Sequence, residues 1–168
     1  SLTAAILIEQ GYKVRGVHMK NWAVDLPGWE CPWEEDYSDA RKVAEQLGIE
    51  LDLYDFQDQY KQKVVDYLVD GYKAGITPNP DIMCNQEIKF KLFLDTALDN
   101  GADKIATGHY AKTHDGKLYM AADPNKDQTY FLARVTNEAL SKTLFPLGEY
   151  ASKHEVRAQA KKLSLIHI

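Results

Sequence analysis

The residues best suited to chemistry are concentrated in Thr77-Pro78-Asn79-Pro80-Asp81-Ile82-Met83-Cys84-Asn85. A cysteine becomes a nucleophile once it is a thiolate, and a carboxylate three residues away, at Asp81, can take or give a proton. Pro78 and Pro80 fix their own φ and push Thr77 and Asn79 towards extended backbone, so the loop is stiff before it binds anything. The spacing predicts that Cys84 opens a helix capped by Asn85, with Lys89 and Lys91 in the first two turns. Unpaired N–H groups and the positive end of the helix dipole would then favour a thiolate. A lone cysteine is more often an inert core thiol. The rigid loop, Asp81 and the helix start together turn the reading towards an activated Cys84.

The elements that must position this loop alternate between helix and strand. Leu2–Gln10 reads as a helix closed by Gly11, and Lys13–His18 as a strand. After a loop broken by Pro27, Gly28 and Pro32, Asp36 is expected to cap a helix running to Leu47. Leu51–Phe56 alternates as a strand, and Asp58–Ala74 carries Val64, Val65, Leu68 and Tyr72 at helical spacing. A helix from Gln86 to Asn100 follows the Pro-rich loop. Lys104–Thr107 is a short strand ending at Gly108, and His114-Asp115-Gly116 signals a hairpin between Tyr110–Thr113 and Lys117–Ala121. Beyond Lys126 the chain reads as helical, and Ser152-Lys153-His154-Glu155 fits a capping box. Such alternation predicts an α/β fold with a mainly parallel sheet, whose ligands bind beyond the carboxyl ends of the strands. The loops after His18 and after Thr107 are therefore the candidate sites.

Composition sets outer limits. The 168 residues suit one domain, and the longest apolar run, Leu2 to Ile8, is too short to span a bilayer. Nothing near Ser1 has the pattern of a signal peptide. Two cysteines, Cys31 and Cys84, make neither a disulfide scaffold nor a four-ligand zinc site, so a reducing cytoplasm is the expected compartment. The net charge of −5 is unevenly spread: residues 25–70 hold thirteen carboxylates against four cations, whereas residues 71–168 hold eleven against thirteen. This permits a polyanion to meet the later half without arguing for one. Trp22, Trp29 and Trp33 around Cys31 could suggest base stacking, but Asp25, Glu30, Glu34, Glu35 and Asp36 would repel phosphate, and packing is the expected role.

The loop Thr77–Cys84, with Asn85 and Ile88-Lys89-Phe90-Lys91, resembles the catalytic segment of the tRNA-specific 2-thiouridylases. Further blocks resemble that family in the same order. They are Gly16-Val17-His18-Met19-Lys20-Asn21-Trp22, Ala106-Thr107-Gly108-His109-Tyr110-Ala111, Asn125-Lys126-Asp127-Gln128-Thr129-Tyr130-Phe131-Leu132 and Leu144-Phe145-Pro146-Leu147-Gly148-Glu149. Together they cover nearly the whole chain.

The family belongs to the PP-loop ATP pyrophosphatases, so the resemblance implies a Rossmann-like domain over residues 1–134 and the start of a helical, tRNA-binding region over 135–168. It implies that ATP with Mg²⁺ adenylates O2 of the wobble uridine, after which sulfur from a cysteine persulfide attacks C2. Cys84 matches the first catalytic cysteine, and Asn79, Pro80 and Asp81 match the stretch at the target base, with Asp81 placed to move protons. Met19 and Gly108 match positions that contact ATP; a methionine can pack on adenine, and a glycine lets backbone approach a nucleotide. Lys126, Asp127 and Gln128 match a tRNA-contacting stretch, Lys for phosphate and Gln for hydrogen bonds. No protein metal ligands are implied. Partners would be tRNA and a sulfur-carrier protein, with no membrane and a monomeric enzyme.

Departures qualify the likeness. The family's Ser-Gly-Gly-Val-Asp-Ser phosphate loop is expected just before Ser1, and its persulfide-bearing second cysteine after the last helix. The chain is thus expected to be a fragment, inactive and weak in ATP binding by itself. Ile76 stands where an Arg is common, and Ser164 where a Gly is usual. The string Leu163–Ile168 resembles a translated transposase end and is expected to be non-native. Two other readings stay open: another PP-loop adenylating ligase, and a non-catalytic tRNA-binding remnant.

Overall fold

The computed structural model describes residues 1–23 and 31–165. Helix α1, Leu2–Glu9, leads to strand β1, Gly16–Lys20. Helix α2, Trp33–Leu47, then returns the chain to β2, Leu51–Asp55, which pairs parallel to β1 with Met19 opposite Tyr54. This is the βαβ unit that the alternation predicted. Helix α3 occupies 57–73 and helix α4 occupies 80–99. Strand β3, Ile105–Ala106, precedes the hairpin of β4, Lys112–His114, and β5, Lys117–Tyr119. After a 3₁₀ turn at Thr129–Leu132 come α5, Asn137–Ser141, β6, Thr143–Leu144, and α6, Lys153–Lys162. Strand β6 pairs parallel to β3, and the hairpin is antiparallel.

Local chemistry explains most of these limits. Asp115 and Gly116 both have positive φ, which a two-residue hairpin turn requires. Ser152 caps α6 by accepting from the amide of Glu155, as the capping box predicts. At the other end Ser164 takes a left-handed φ of 56°, with Leu165 N donating to Ala160 O and Ser164 N to Lys161 O. That is a Schellman motif with serine in the glycine position.

Several expectations are corrected. β1 begins at Gly16 rather than Lys13, because pairing starts where Gly16 N reaches Glu50 O. α2 begins at Trp33 after Pro32, not at a capping Asp36; Glu34, Glu35 and Asp36 instead place negative charge in its first turn, against the positive helix end. Tyr72, expected on the inner face of α3, is 58% exposed. A π-wound turn at Lys61–Val65 shifts the phase of the helix, so the face marked by buried Val64 is not carried forward at regular spacing. The stretch beyond Lys126 is not simply helical, since β6 lies within it.

Three apolar clusters hold the elements. Phe90, Leu94 and Ala97 of α4 pack with Ile105, Leu132, Leu140 and Phe145. Leu2, Ala5 and Ile6 of α1 pack with Leu147, Ala160 and Leu165. Phe56, Val64 and Ile88 form the third, at the end of β2 between α3 and α4. No helix among the described residues is long and apolar enough to cross a membrane. The last three residues, 166–168, lie outside the described residues, as does most of the acidic Trp29 loop.

Candidate functional site

The Pro-rich loop is pinned at both sides. Pro78 is buried against α3, where a Cβ on Gly71 would lie 2.9 Å from Pro78 Cγ. Glycine is what lets the loop approach so closely. Asn79 then caps α4: its backbone is extended, at φ −110°, and its side-chain oxygen accepts from Asp81 N at 3.1 Å and Ile82 N at 3.2 Å. Pro80 occupies the first helical turn, where its missing N–H costs nothing. The helix therefore starts six residues earlier than expected, with Asn79 and not Asn85 as its cap. Asn-Pro-Asp is a helix-start signature, and it was the signal available in the sequence.

This moves Cys84 off the helix end and into the body of α4, at the start of a π-wound stretch, Cys84–Phe93. The thiol is half-buried beside Met19, Tyr60 and Met83 on the third apolar cluster. Burial pushes its pKa above the ordinary cysteine value; nearby Lys89 opposes that rise and Asp81 adds to it. Burial thus disfavours the expected resting thiolate, because a charge would be desolvated there and the helix dipole acts mainly in the first turn. Tyr60 lies near both Cys84 and Asp81, and its hydroxyl pKa is raised by burial and by these two groups. Sequence spacing did not single it out.

Asn85 is 3% exposed, and its Nδ2 donates to Phe131 O at 3.2 Å. Its Oδ1 has no partner among the described residues. Phe131 belongs to the segment that begins at Lys126. Asp127 anchors that segment: Oδ1 accepts from Ala121 N, and Oδ2 from Thr129 N and Thr129 Oγ1. Gln128 pairs reciprocally with Tyr110, its Oε1 accepting from Tyr110 N and its own N–H donating to Tyr110 O, both at 2.9 Å. The acceptors of Asp127 and Gln128 are committed to the chain's own backbone, whereas Lys126 is exposed. Segment 126–132 joins the Cys84 helix to the strand-end loop that holds Gly108.

Gly108 follows β3 and lines an open cavity of about 530 Å³ with Ser1, Leu2, Thr3, Leu147, Val156 and Arg157. An added Cβ would meet only ordinary contacts, 3.6 Å from Thr3 Oγ1 and 3.8 Å from Leu147 Cδ1. Nothing within the chain demands glycine here. The first amides of α1 open towards this region with no carbonyl of their own helix to meet. Met19 does not line this cavity; it sits in β1 against the cluster that holds Cys84. Met19 and Cys84 both pack against the third apolar cluster, whereas Gly108 lines the cavity. His109 is a packed residue, its Nδ1 2.8 Å from Thr107 Oγ1 and its ring between Phe90 and Phe145. Burial pushes its pKa down to about 4, with Lys89 adding to the effect, so it is neutral near pH 7.

In the acidic loop, Lys20 Nζ stands 3.7 Å from the ring centroid of Trp33, and Cys31 Sγ lies 3.5 Å from Trp22 O. Trp29 lies outside the described residues. Among the described residues no group of three His, Cys, Asp or Glu side chains could hold a metal ion.

The family model described as the tRNA methyl transferase HUP domain matches residues 1–168. The chain is 48% identical over 171 residues to a protein of Akkermansia muciniphila named tRNA-specific 2-thiouridylase MnmA, covering 98% of the chain and 47% of that protein. It is 52% identical over 169 residues to proteins of the same name from Stutzerimonas stutzeri and Bacillus licheniformis, covering 98% of the chain and 45% of each. The chain spans about half the length of the curated relatives it matches. The HUP domain is the Rossmann-like α/β fold expected from the alternation of strands and helices. The match being unbroken from first residue to last, the chain belongs to the tRNA methyl transferase HUP domain family.

Proposed function

We propose that the complete protein 2-thiolates the wobble uridine of tRNA at the expense of ATP, and that Cys84 is a nucleophile of that reaction. The observation that carries the reading is the single turn Asn79–Cys84, in which a capped, proline-stiffened loop holds a carboxylate and a half-buried thiol three residues apart. The names of the relatives supply the substrate class.

ATP supplies the adenylyl group that converts the uridine oxygen into a leaving group. The cavity at Gly108 fits such a ligand: backbone is bare on one side, α1 amides and Arg157 offer positive potential on another, and Leu147 and Val156 are apolar. Mg²⁺ would come with the phosphates.

The chain's own residues then act on sulfur. Cys84 is held as a thiol until a base is present, which protects it from oxidation. Asp81 takes the thiol proton, Lys89 supports the thiolate, and Cys84 Sγ attacks the inner sulfur of a persulfide that the sulfur carrier has loaded onto the complete protein's second cysteine. The S–S bond so formed releases HS⁻, which adds at the activated C2 as AMP departs. The disulfide left between Cys84 and the second cysteine is reset by a thiol reductant. Asn79 and Pro80 shape the rim on which the base rests, while Lys126 and the free amide donors of Gln128 meet RNA phosphate. Met19 packs on the same apolar cluster as the thiol. In the complete protein, Cys84→Ser is expected to abolish 2-thiouridine in tRNA while ATP still binds.

A further inference from the structure

Segment 126–132 is held more tightly than a surface turn requires. The carboxylate of Asp127 takes three hydrogen bonds, Gln128 is tied twice to Tyr110, and Phe131 O receives the buried amide of Asn85. Leu132 is 1% exposed and locks the end of the turn into the core. Yet Tyr130, in the middle, is 64% exposed, its ring edge-on to Phe131 at 5.4 Å. A large aromatic on a rigid turn, left out of the core, offers a stacking face without an entropic cost of ordering the backbone. Four residues on, the exposed guanidinium of Arg134 lies 3.6 Å from Met83 Sδ, beside Cys84. Among the described residues neither Lys126 nor Arg134 is in an ion pair. An exposed ring flanked by unpaired cations fits single-stranded nucleic acid, in which bases stack on aromatics and phosphates meet cations.

We infer that Tyr130 is a stacking platform for an unpaired tRNA base next to the target uridine, and that Arg134 binds an adjacent phosphate. The inference rests on the tRNA reading above and adds to it which residues seat the strand. Stacking a neighbouring base beside the Asp81–Cys84 turn would hold the uridine out of its own stack and over the thiol.

The test uses the complete protein with an unmodified tRNA carrying 2-aminopurine next to the wobble position. With the parent protein, binding should change the 2-aminopurine fluorescence. Tyr130→Phe should behave as the parent. Tyr130→Ala and Tyr130→Leu should lose most of the fluorescence change and weaken binding by about 5- to 100-fold, the range that one base stack supports. Arg134→Gln should weaken binding and flatten its dependence on salt by about one phosphate contact. Circular dichroism melting of each variant should match the parent, since both side chains are exposed. If the parent binds tRNA and Tyr130→Ala or Tyr130→Leu binds within twofold with the same fluorescence, the stacking role is overturned and the tRNA reading stands. If the parent binds no tRNA, both fall.

Discussion

Asn85 and Phe131 join the two halves of the site: the Asn85 side-chain amide donates to the Phe131 carbonyl at 3.2 Å, one residue after Cys84 on one side and one after Tyr130 on the other. Movement of either segment is therefore felt by the other. A buried amide also cannot be removed cheaply, because Phe131 O would lose its donor in the interior. Asn85→Leu is expected to destabilise the protein by about 1–3 kcal/mol, read by urea denaturation. Unchanged stability would show that the bond does not couple the segments.

The thiol of Cys84 is expected to alkylate slowly at neutral pH. Burial raises its pKa, so the thiolate fraction should climb only above the range of an ordinary cysteine. Lys89→Met should move the iodoacetamide rate profile to higher pH, and Asp81→Asn to lower pH. An apparent pKa below 8 in the parent would contradict this environment and restore the activated thiol.

Stability should fall in mild acid through His109. Its folded pKa of about 4 lies below the ordinary histidine value of 6.5, so between these the unfolded chain binds more protons. The contribution is complete above pH 6.5 and is lost as pH falls towards 4, reaching about 2–3 kcal/mol. His109→Asn should flatten the denaturation free energy over that window. An NMR titration of His109 centred near 6.5 would overturn the assignment.

Much of this was legible locally. The hairpin at Asp115-Gly116, the cap at Ser152 and the βαβ unit of β1, α2 and β2 follow from residues near one another in sequence. The Asn79–Cys84 turn was legible as a stiff loop, but not the register of its cap, since two asparagines compete and the deciding fact is that Asn79 precedes a proline suited to the first turn. The state of Cys84 was not legible, because it depends on Phe56, Val64 and Ile88, brought together from three separate elements. The same holds for Tyr72: a π-wound turn leaves no mark in a 3.6-residue pattern.

The left-handed serine at the end of α6 offers a stability test. Ser164 has φ 56°, where an L side chain costs about 1–2 kcal/mol and glycine almost nothing. Ser164→Gly should raise the denaturation midpoint by an amount equivalent to about 1 kcal/mol. A lower midpoint would mean that the serine side chain holds the turn.

The most direct test of the central claim is mass spectrometry of tRNA nucleosides from a strain lacking the complete gene, supplied with the parent or with Cys84→Ser, alongside ATP binding by both proteins. We expect wobble 2-thiouridine to return with the parent and to stay absent with Cys84→Ser, while the two proteins bind ATP equally. Normal 2-thiouridine in cells carrying only Cys84→Ser would contradict the nucleophilic role of this turn.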